Sequence, residues 1–175
     1  MGEFYGEISV DDIVPVMDGP PFHIVLVQPE IPNNTGTIGR TVAATGCRLH
    51  IVHPIGFSMD EKARRRAGLD YWDHVDCVEH ASWEAFLESQ SPDRGWVMTA
   101  RATTALWDVA MQRGDYLLFG GESGGLPDHV LAWAERKWGP ECRVGLPMTE
   151  GLRSLNLACA ATAAAYEGLR QIART

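Results

Sequence analysis

The sequence predicts one α/β domain built on a largely parallel sheet, and three observations lead there. Short apolar runs alternate with helical stretches along the chain. The runs are apolar enough to be buried on both faces, as central parallel strands are. Glycine-rich loops follow two of them, at the carboxyl ends of strands where open α/β sheets gather ligands. At 175 residues with 45% hydrophobic and 22% charged side chains, the chain suits one well-buried core.

The elements follow in order. Residues 1–21 lack sustained periodicity and end in the breaker cluster Asp18-Gly19-Pro20-Pro21, so they read as an N-terminal extension, expected to be flexible, before a single domain over 22–175. His23 to Val27, Leu49 to Val52, Trp96 to Thr99, Tyr116 to Phe119 and Cys142 to Leu146 read as strands. Asn34 is placed to cap a helix running toward Thr45, with Gly46 as its stop, and Ser82 to cap one through Leu87. Asp128 opens another through Glu135. With Ser154 as cap, Leu155, Ala158, Cys159, Thr162, Ala165, Tyr166, Leu169 and Ile172 recur at helical spacing in a last helix that needs a partner surface.

Composition excludes several classes. No apolar run approaches the roughly 18 residues of a membrane span, and the acidic start lacks the basic region of a signal peptide, so the expected location is cytoplasmic with no membrane partner. Cys47, Cys77, Cys142 and Cys159 stand singly, which predicts buried thiols rather than a zinc site or disulfides. Beyond His50-x-x-His53 the histidines have no ligand spacing, and no metal is expected. A net charge of -8 argues against a general nucleic-acid coat. The run Lys62, Arg64, Arg65 and Arg66 is either a local RNA contact or a solvated helix face.

Three segments stand out for chemistry. Pro29-Glu30-Ile31-Pro32-Asn33-Asn34-Thr35-Gly36-Thr37-Ile38-Gly39-Arg40 directly follows the first strand, joining a proline-fixed turn to a helix N-terminus with amide side chains and a cation. Phe119-Gly120-Gly121-Glu122-Ser123-Gly124-Gly125-Leu126-Pro127 lets backbone approach a ligand closely, yet it has neither phosphate-loop nor dinucleotide spacing. In Leu146-Pro147-Met148-Thr149-Glu150-Gly151-Leu152-Arg153-Ser154-Leu155-Asn156, apolar Leu146 and Met148 make a wall suited to a flat ring, with Ser154 and Asn156 as its polar counterpart. Singly, each has a plainer explanation as cap, turn or core filling.

Together and in this order, the segments resemble the SPOUT RNA 2'-O-methyltransferases, and more narrowly the TrmL/YibK-like tRNA wobble (cytidine/uridine) enzymes. Arg48-Leu49-His50-Ile51-Val52, Arg65-Arg66-Ala67-Gly68-Leu69-Asp70-Tyr71 and Ala165-Tyr166-Glu167-Gly168-Leu169-Arg170-Gln171 extend the resemblance from about Phe22 to Arg170. It implies an α/β-knot fold, a mainly parallel sheet flanked by helices with a C-terminal deep trefoil knot, an exception to unknotted topologies. It implies S-adenosyl-L-methionine as cofactor, leaving S-adenosyl-L-homocysteine, held near Thr99, Arg101, Gly120, Glu122, Gly125, Leu146, Met148, Ser154 and Leu155. It implies Arg40, Asn34, Glu122, Ser154 and Asn156 as reaction-site residues and Arg40, Lys62, Arg65, Arg66 and Arg153 as RNA contacts. Its minimal members are homodimers with the last helix in the interface, here with Tyr166 and Leu169 as anchors, and the implied partner is the tRNA anticodon loop.

The implied reaction methylates the ribose 2'-hydroxyl of nucleotide 34. That hydroxyl must be positioned and must lose a proton, and Arg40, a poor base while protonated, would polarise it or clamp the adjacent phosphate. Two departures from the family pattern are the segment before Phe22 and Gly124, where relatives commonly carry a larger, often basic residue. The rival readings are a SPOUT enzyme for another tRNA or rRNA ribose and a non-catalytic knotted dimer that binds RNA. A nucleotide-binding α/β protein lacks its fingerprint here.

Overall fold

The computed structural model describes residues 8–14, 18–60, 62 and 69–173. Seven strands form one sheet in which every pair is parallel: β1 (His23–Val27), β2 (Arg48–Val52), β3 (Cys77–His80), β4 (Gly95–Met98), β5 (Thr104–Ala105), β6 (Tyr116–Phe119) and β7 (Arg143–Gly145), in the order β3-β2-β1-β6-β4-β7-β5. The helices are α1 (Pro32–Thr45), α2 (Trp83–Gln90), α3 (Asp128–Trp138) and α4 (Leu157–Ile172). The expected parallel sheet flanked by helices is present, with β3 and β5 as unforeseen edge strands. β5 has only two residues, and β3 keeps Glu79 exposed at the sheet margin, so neither shows the apolar run of a central strand.

Alternation along the central strands divides the core. Ile24 and Leu26 of β1 point into the larger cluster, with Ile38 and Val42 of α1 and Ala161, Ala165 and Leu169 of α4. Val25 and Val27 point the other way, to Trp83 and Phe86 of α2 and Val130 of α3. Thr41 and Thr162 hydroxyls meet at 2.7 Å where α1 crosses α4. Val14 is buried against the larger cluster and Val10 packs beside it, so part of the segment before Phe22 touches the core.

Two caps differ from expectation. Helix α1 begins at Pro32, whose fixed φ suits a first helical position, and Asn34 sits inside it with its side chain spent elsewhere. Helix α4 is capped by Asn156 rather than Ser154: Asn156 Oδ1 accepts from the N–H groups of Ala158 (2.9 Å) and Cys159 (3.2 Å), which leaves Leu155 outside the helix. Gly46 does stop α1, at φ 69°, and Ser82 does cap α2. Of the cysteines, none in a disulfide, Cys47 and Cys142 are buried and Cys77 half-buried, but Cys159 is exposed beside the α4 cap, so the expectation of buried thiols fails there.

Three histidines cross β1, β2 and β3 on the α2 face. His23 Nδ1 lies 2.9 Å from His50 Nε2, His50 Nδ1 lies 3.0 Å from His80 Nε2, and Ser89 Oγ lies 3.3 Å from His80 Nδ1. With Ser89 donating to the Phe86 carbonyl, one assignment satisfies every ring: the proton sits on Nδ1 throughout. Burial lowers His50 to about 3, helped by the neighbouring rings, and lowers His23 to about 4, helped by Arg48. Burial lowers His80 as well. The chain is therefore neutral at pH 7.

At the other end of the sheet, β7 lies between β4 and β5, and a loop carries the chain from β4 by way of β5 to β6. That loop is pinned by Asp115, 1% exposed, whose carboxylate accepts from Arg94 Nε (2.7 Å), Trp96 Nε1 (2.8 Å) and Gln112 N–H (2.9 Å). Among the described residues, no helix is long and apolar enough to cross a membrane, and no group of His, Cys, Asp or Glu is placed to hold a metal.

Candidate active site

The three segments singled out above converge at the carboxyl ends of β1, β6 and β7. After β1, Gln28 takes φ 53° and turns the chain into α1. After β6, the loop doubles back on itself through a Gly121–Gly125 bridge, with Gly125 at φ +74°. Gly120 permits that fold: a Cβ there would sit 2.0 Å from the Gly125 carbonyl carbon, so no side chain fits.

Glu122 is thereby carried onto the start of α1. Its Oε1 accepts from Asn34 Nδ2 and its Oε2 from the Glu30 N–H, each at 2.8 Å. Asn156 Nδ2 donates to Asn34 Oδ1 at 2.9 Å, completing a line Glu122–Asn34–Asn156 that joins all three segments. Ser123 ties the same loop to Glu30 a second time, its Oγ donating to Glu30 Oε1 at 2.6 Å. Glu30 and Ser123 were not foreseen as site residues; an acid between two prolines was the available signal.

On the same edge of the sheet, a cleft of about 150 Å³ opens between the loops after β4 and β7, lined by Thr99, Ala102, Thr104, Gly145 and Leu146 among others. Gly145 is forced by close approach: a Cβ would lie 2.8 Å from the Thr99 carbonyl oxygen. Thr99 Oγ1 accepts from the Arg101 N–H at 3.2 Å, shaping the turn. Met148 is half-buried near this wall in sequence, whereas Arg153, Ser154 and Leu155 are exposed, and Ser154 takes no part in the Glu122–Asn34–Asn156 line.

Arg40 is exposed on α1, and its guanidinium lies over the Tyr71 ring, 4.0 Å from the centroid. Among the described residues no carboxylate lies within ion-pairing distance of it. Lys62 is exposed, while Arg64, Arg65 and Arg66 lie outside the described residues. Tyr166 is 50% exposed on α4, but Leu169, at 5%, is spent in the chain's own core.

Fold and site together define an α/β protein with a small cleft built from strand-end loops, an amide–carboxylate line on the same edge of the sheet, and an exposed cation stacked on a tyrosine ring. The chain belongs to the SpoU rRNA methylase family, whose model matches residues 21–166. It is 44% identical over 151 residues to a tRNA (cytidine(34)-2'-O)-methyltransferase of Saccharophagus degradans, covering 86% of this chain and 96% of that protein. A protein of the same name from Escherichia coli strain K12 is 44% identical over 150 residues, covering 86% and 93%. A solved structure concerned with the 2-OH methylation of C/U34 on tRNA superposes with a TM-score of 0.77 at 45% identity, over 88% of this chain and 97% of that one. The SpoU methyltransferase AviRb of Streptomyces viridochromogenes, in complex with the cofactor AdoMet, superposes at 0.73 with 25% identity, over 91% and 60%.

Proposed function

We propose that this chain is an S-adenosyl-L-methionine-dependent 2'-O-methyltransferase of the wobble nucleotide, cytidine or uridine 34, in the tRNA anticodon loop, working in the cytoplasm as a homodimer. The observation that carries the reading is the Glu122–Asn34–Asn156 line on the same edge of the sheet as a strand-end cleft, in a chain 44% identical over nearly the full length of a relative that bears this activity in its name. The unit is one domain over residues 22–175, with 1–21 as an extension. The placement of β7 between β4 and β5 supports the trefoil knot of the SPOUT fold.

The cleft fits the cofactor. Its lining includes bare backbone at Gly145 and the apolar side chain of Leu146. Thr99, Arg101, Gly120, Gly125, Leu146, Met148 and Leu155 would hold the molecule, which supplies an electrophilic sulfonium methyl. The protein's own work is positioning. Both Glu122 oxygens already accept hydrogen bonds, so Glu122 fixes the Asn34 amide and is not a free base. Asn156, locked by its cap, fixes the other end of that amide. A guanidinium is a poor base, so Arg40 polarises the ribose hydroxyl or holds the adjacent phosphate, and the proton leaves to a phosphate oxygen or water. Lys62 and Arg153, both exposed, add positive charge, as do Arg65 and Arg66. Half-exposed Tyr166 and the exposed Trp107, Leu152 and Leu155 supply apolar surface for a second copy.

Incubation with labelled S-adenosyl-L-methionine and total tRNA, followed by mass spectrometry of nuclease fragments, tests the reading. The expected product is a methyl on the ribose of nucleotide 34; a methyl on another nucleotide rejects this assignment. Arg40→Ala should lose about 100-fold in rate while keeping S-adenosylhomocysteine affinity. Sedimentation at micromolar concentration should give the mass of two chains.

A further inference from the structure

Helix α1 carries two buried glycines three residues apart, Gly36 and Gly39, although glycine inside a helix costs about 1 kcal/mol relative to alanine. Their reason lies across the helix. A Cβ on Gly39 would sit 2.4 Å from Trp72 Cζ3, and one on Gly36 would sit 2.9 Å from Leu69 Cδ2. The glycines open a notch in which residues 69–72 lie directly on the α1 backbone. Tyr71 is thereby brought against the helix: its hydroxyl donates to the Gly36 carbonyl at 2.6 Å, and its ring lies under the Arg40 guanidinium at 4.0 Å. Burial raises the Tyr71 hydroxyl above its usual range, so it stays a donor at neutral pH.

Arg40 otherwise ends a long, exposed side chain with no carboxylate partner among the described residues. Such a chain samples many rotamers, and a ring face beneath the guanidinium restricts it while the five N–H donors of the fork exceed what one tyrosine can take up. We propose that Tyr71 is a positioning residue: anchored to the Gly36 carbonyl, it holds the Arg40 guanidinium flat on its ring so that the N–H donors meet the phosphate or hydroxyl of the reacting nucleotide. This rests on the role given above to Arg40. The sequence signal is the Gly36-x-x-Gly39 pair, which makes room for the tyrosine's neighbours.

The test is a cycle of Tyr71→Leu, Tyr71→Phe, Arg40→Ala and Arg40→Ala/Tyr71→Leu, with single-turnover methylation of tRNA, S-adenosylhomocysteine affinity, Tm and the NMR order parameter of Arg40 Nε–Hε as readouts. Tyr71→Leu should slow methylation about tenfold, equivalent to about 1.4 kcal/mol and within the range of a desolvated cation–π contact. Cofactor-product affinity should stay within about twofold, and Arg40 Nε should become mobile. Tyr71→Phe keeps the ring and should recover most of the rate, and Tyr71→Leu should add nothing to Arg40→Ala. Three results overturn the proposal: a wild-type rate for Tyr71→Leu, an immobile Arg40 in that variant, or an equal further loss in the Arg40→Ala background. A wild-type rate for Arg40→Ala instead rejects the role of Arg40 itself, and the positioning role with it.

Discussion

The Glu122–Asn34–Asn156 line and the His23–His50–His80 chain are both hydrogen-bonded threesomes that join separate elements, and they are built for opposite ends. The histidine chain closes on itself: every ring nitrogen between His23 Nδ1 and His80 Nδ1 has a partner, and His50 is fully buried. The rim line ends on the exposed Asn156 and the half-buried Glu122, on the same edge of the sheet as a cleft. Spare hydrogen-bonding capacity near an opening serves a ligand, whereas a saturated interior network serves the sheet. Polar content alone does not separate them; the leftover capacity does.

Perturbing each network should give a different signature. Glu122→Gln replaces an acceptor by a donor facing either Asn34 Nδ2 or the Glu30 N–H, so one charge-assisted bond is lost. Methylation should slow by about 10- to 100-fold while Tm moves by less than about 3 °C; an unchanged rate would make the line a mere loop tie. His50→Leu strands His23 and His80 without their shared partner and should cost about 2–4 kcal/mol. Differential scanning calorimetry should record a Tm lower by roughly 5–15 °C, with the rate per folded molecule unaltered at low temperature.

Acidification probes the same chain more gently. The folded values of about 4 for His23 and about 3 for His50 lie below the ordinary 6.5, so the unfolded chain binds more protons in acid. Their stabilising contribution is complete above about pH 6.5 and is lost progressively as pH falls toward 4 and then 3. Tm should therefore decline by roughly 5–15 °C from pH 7 to pH 5, and the slope should flatten in His50→Leu. A slope unchanged by that substitution would place the acid sensitivity elsewhere.

Much of the fold was legible because burial writes itself into local sequence. Tyr116–Phe119, buried at all four positions, has the bounds its apolar run predicts, and β1 does too. What local sequence hides are decisions taken by distant partners. Asn34 looks like a cap, yet its amide is claimed by Glu122, 88 residues away, and the cap role at α4 falls to Asn156, which reaches Asn34 across 122 residues. The gathering of the three segments was readable from their order, whereas Tyr71 under Arg40 was not, since the stack depends on two glycines whose absent side chains matter only once residues 69–72 are in place.

The position of β7 bears on how the molecule comes apart. Flanked by β4 and β5, with the Asp115 carboxylate fastening the loop before β6 to Arg94 and Trp96, this strand has no free edge from which to peel. Freeing it requires its pairing to break on both sides, with Val97–Met98 of β4 and with Thr104–Ala105 of β5, so it is held by whichever neighbour lets go last.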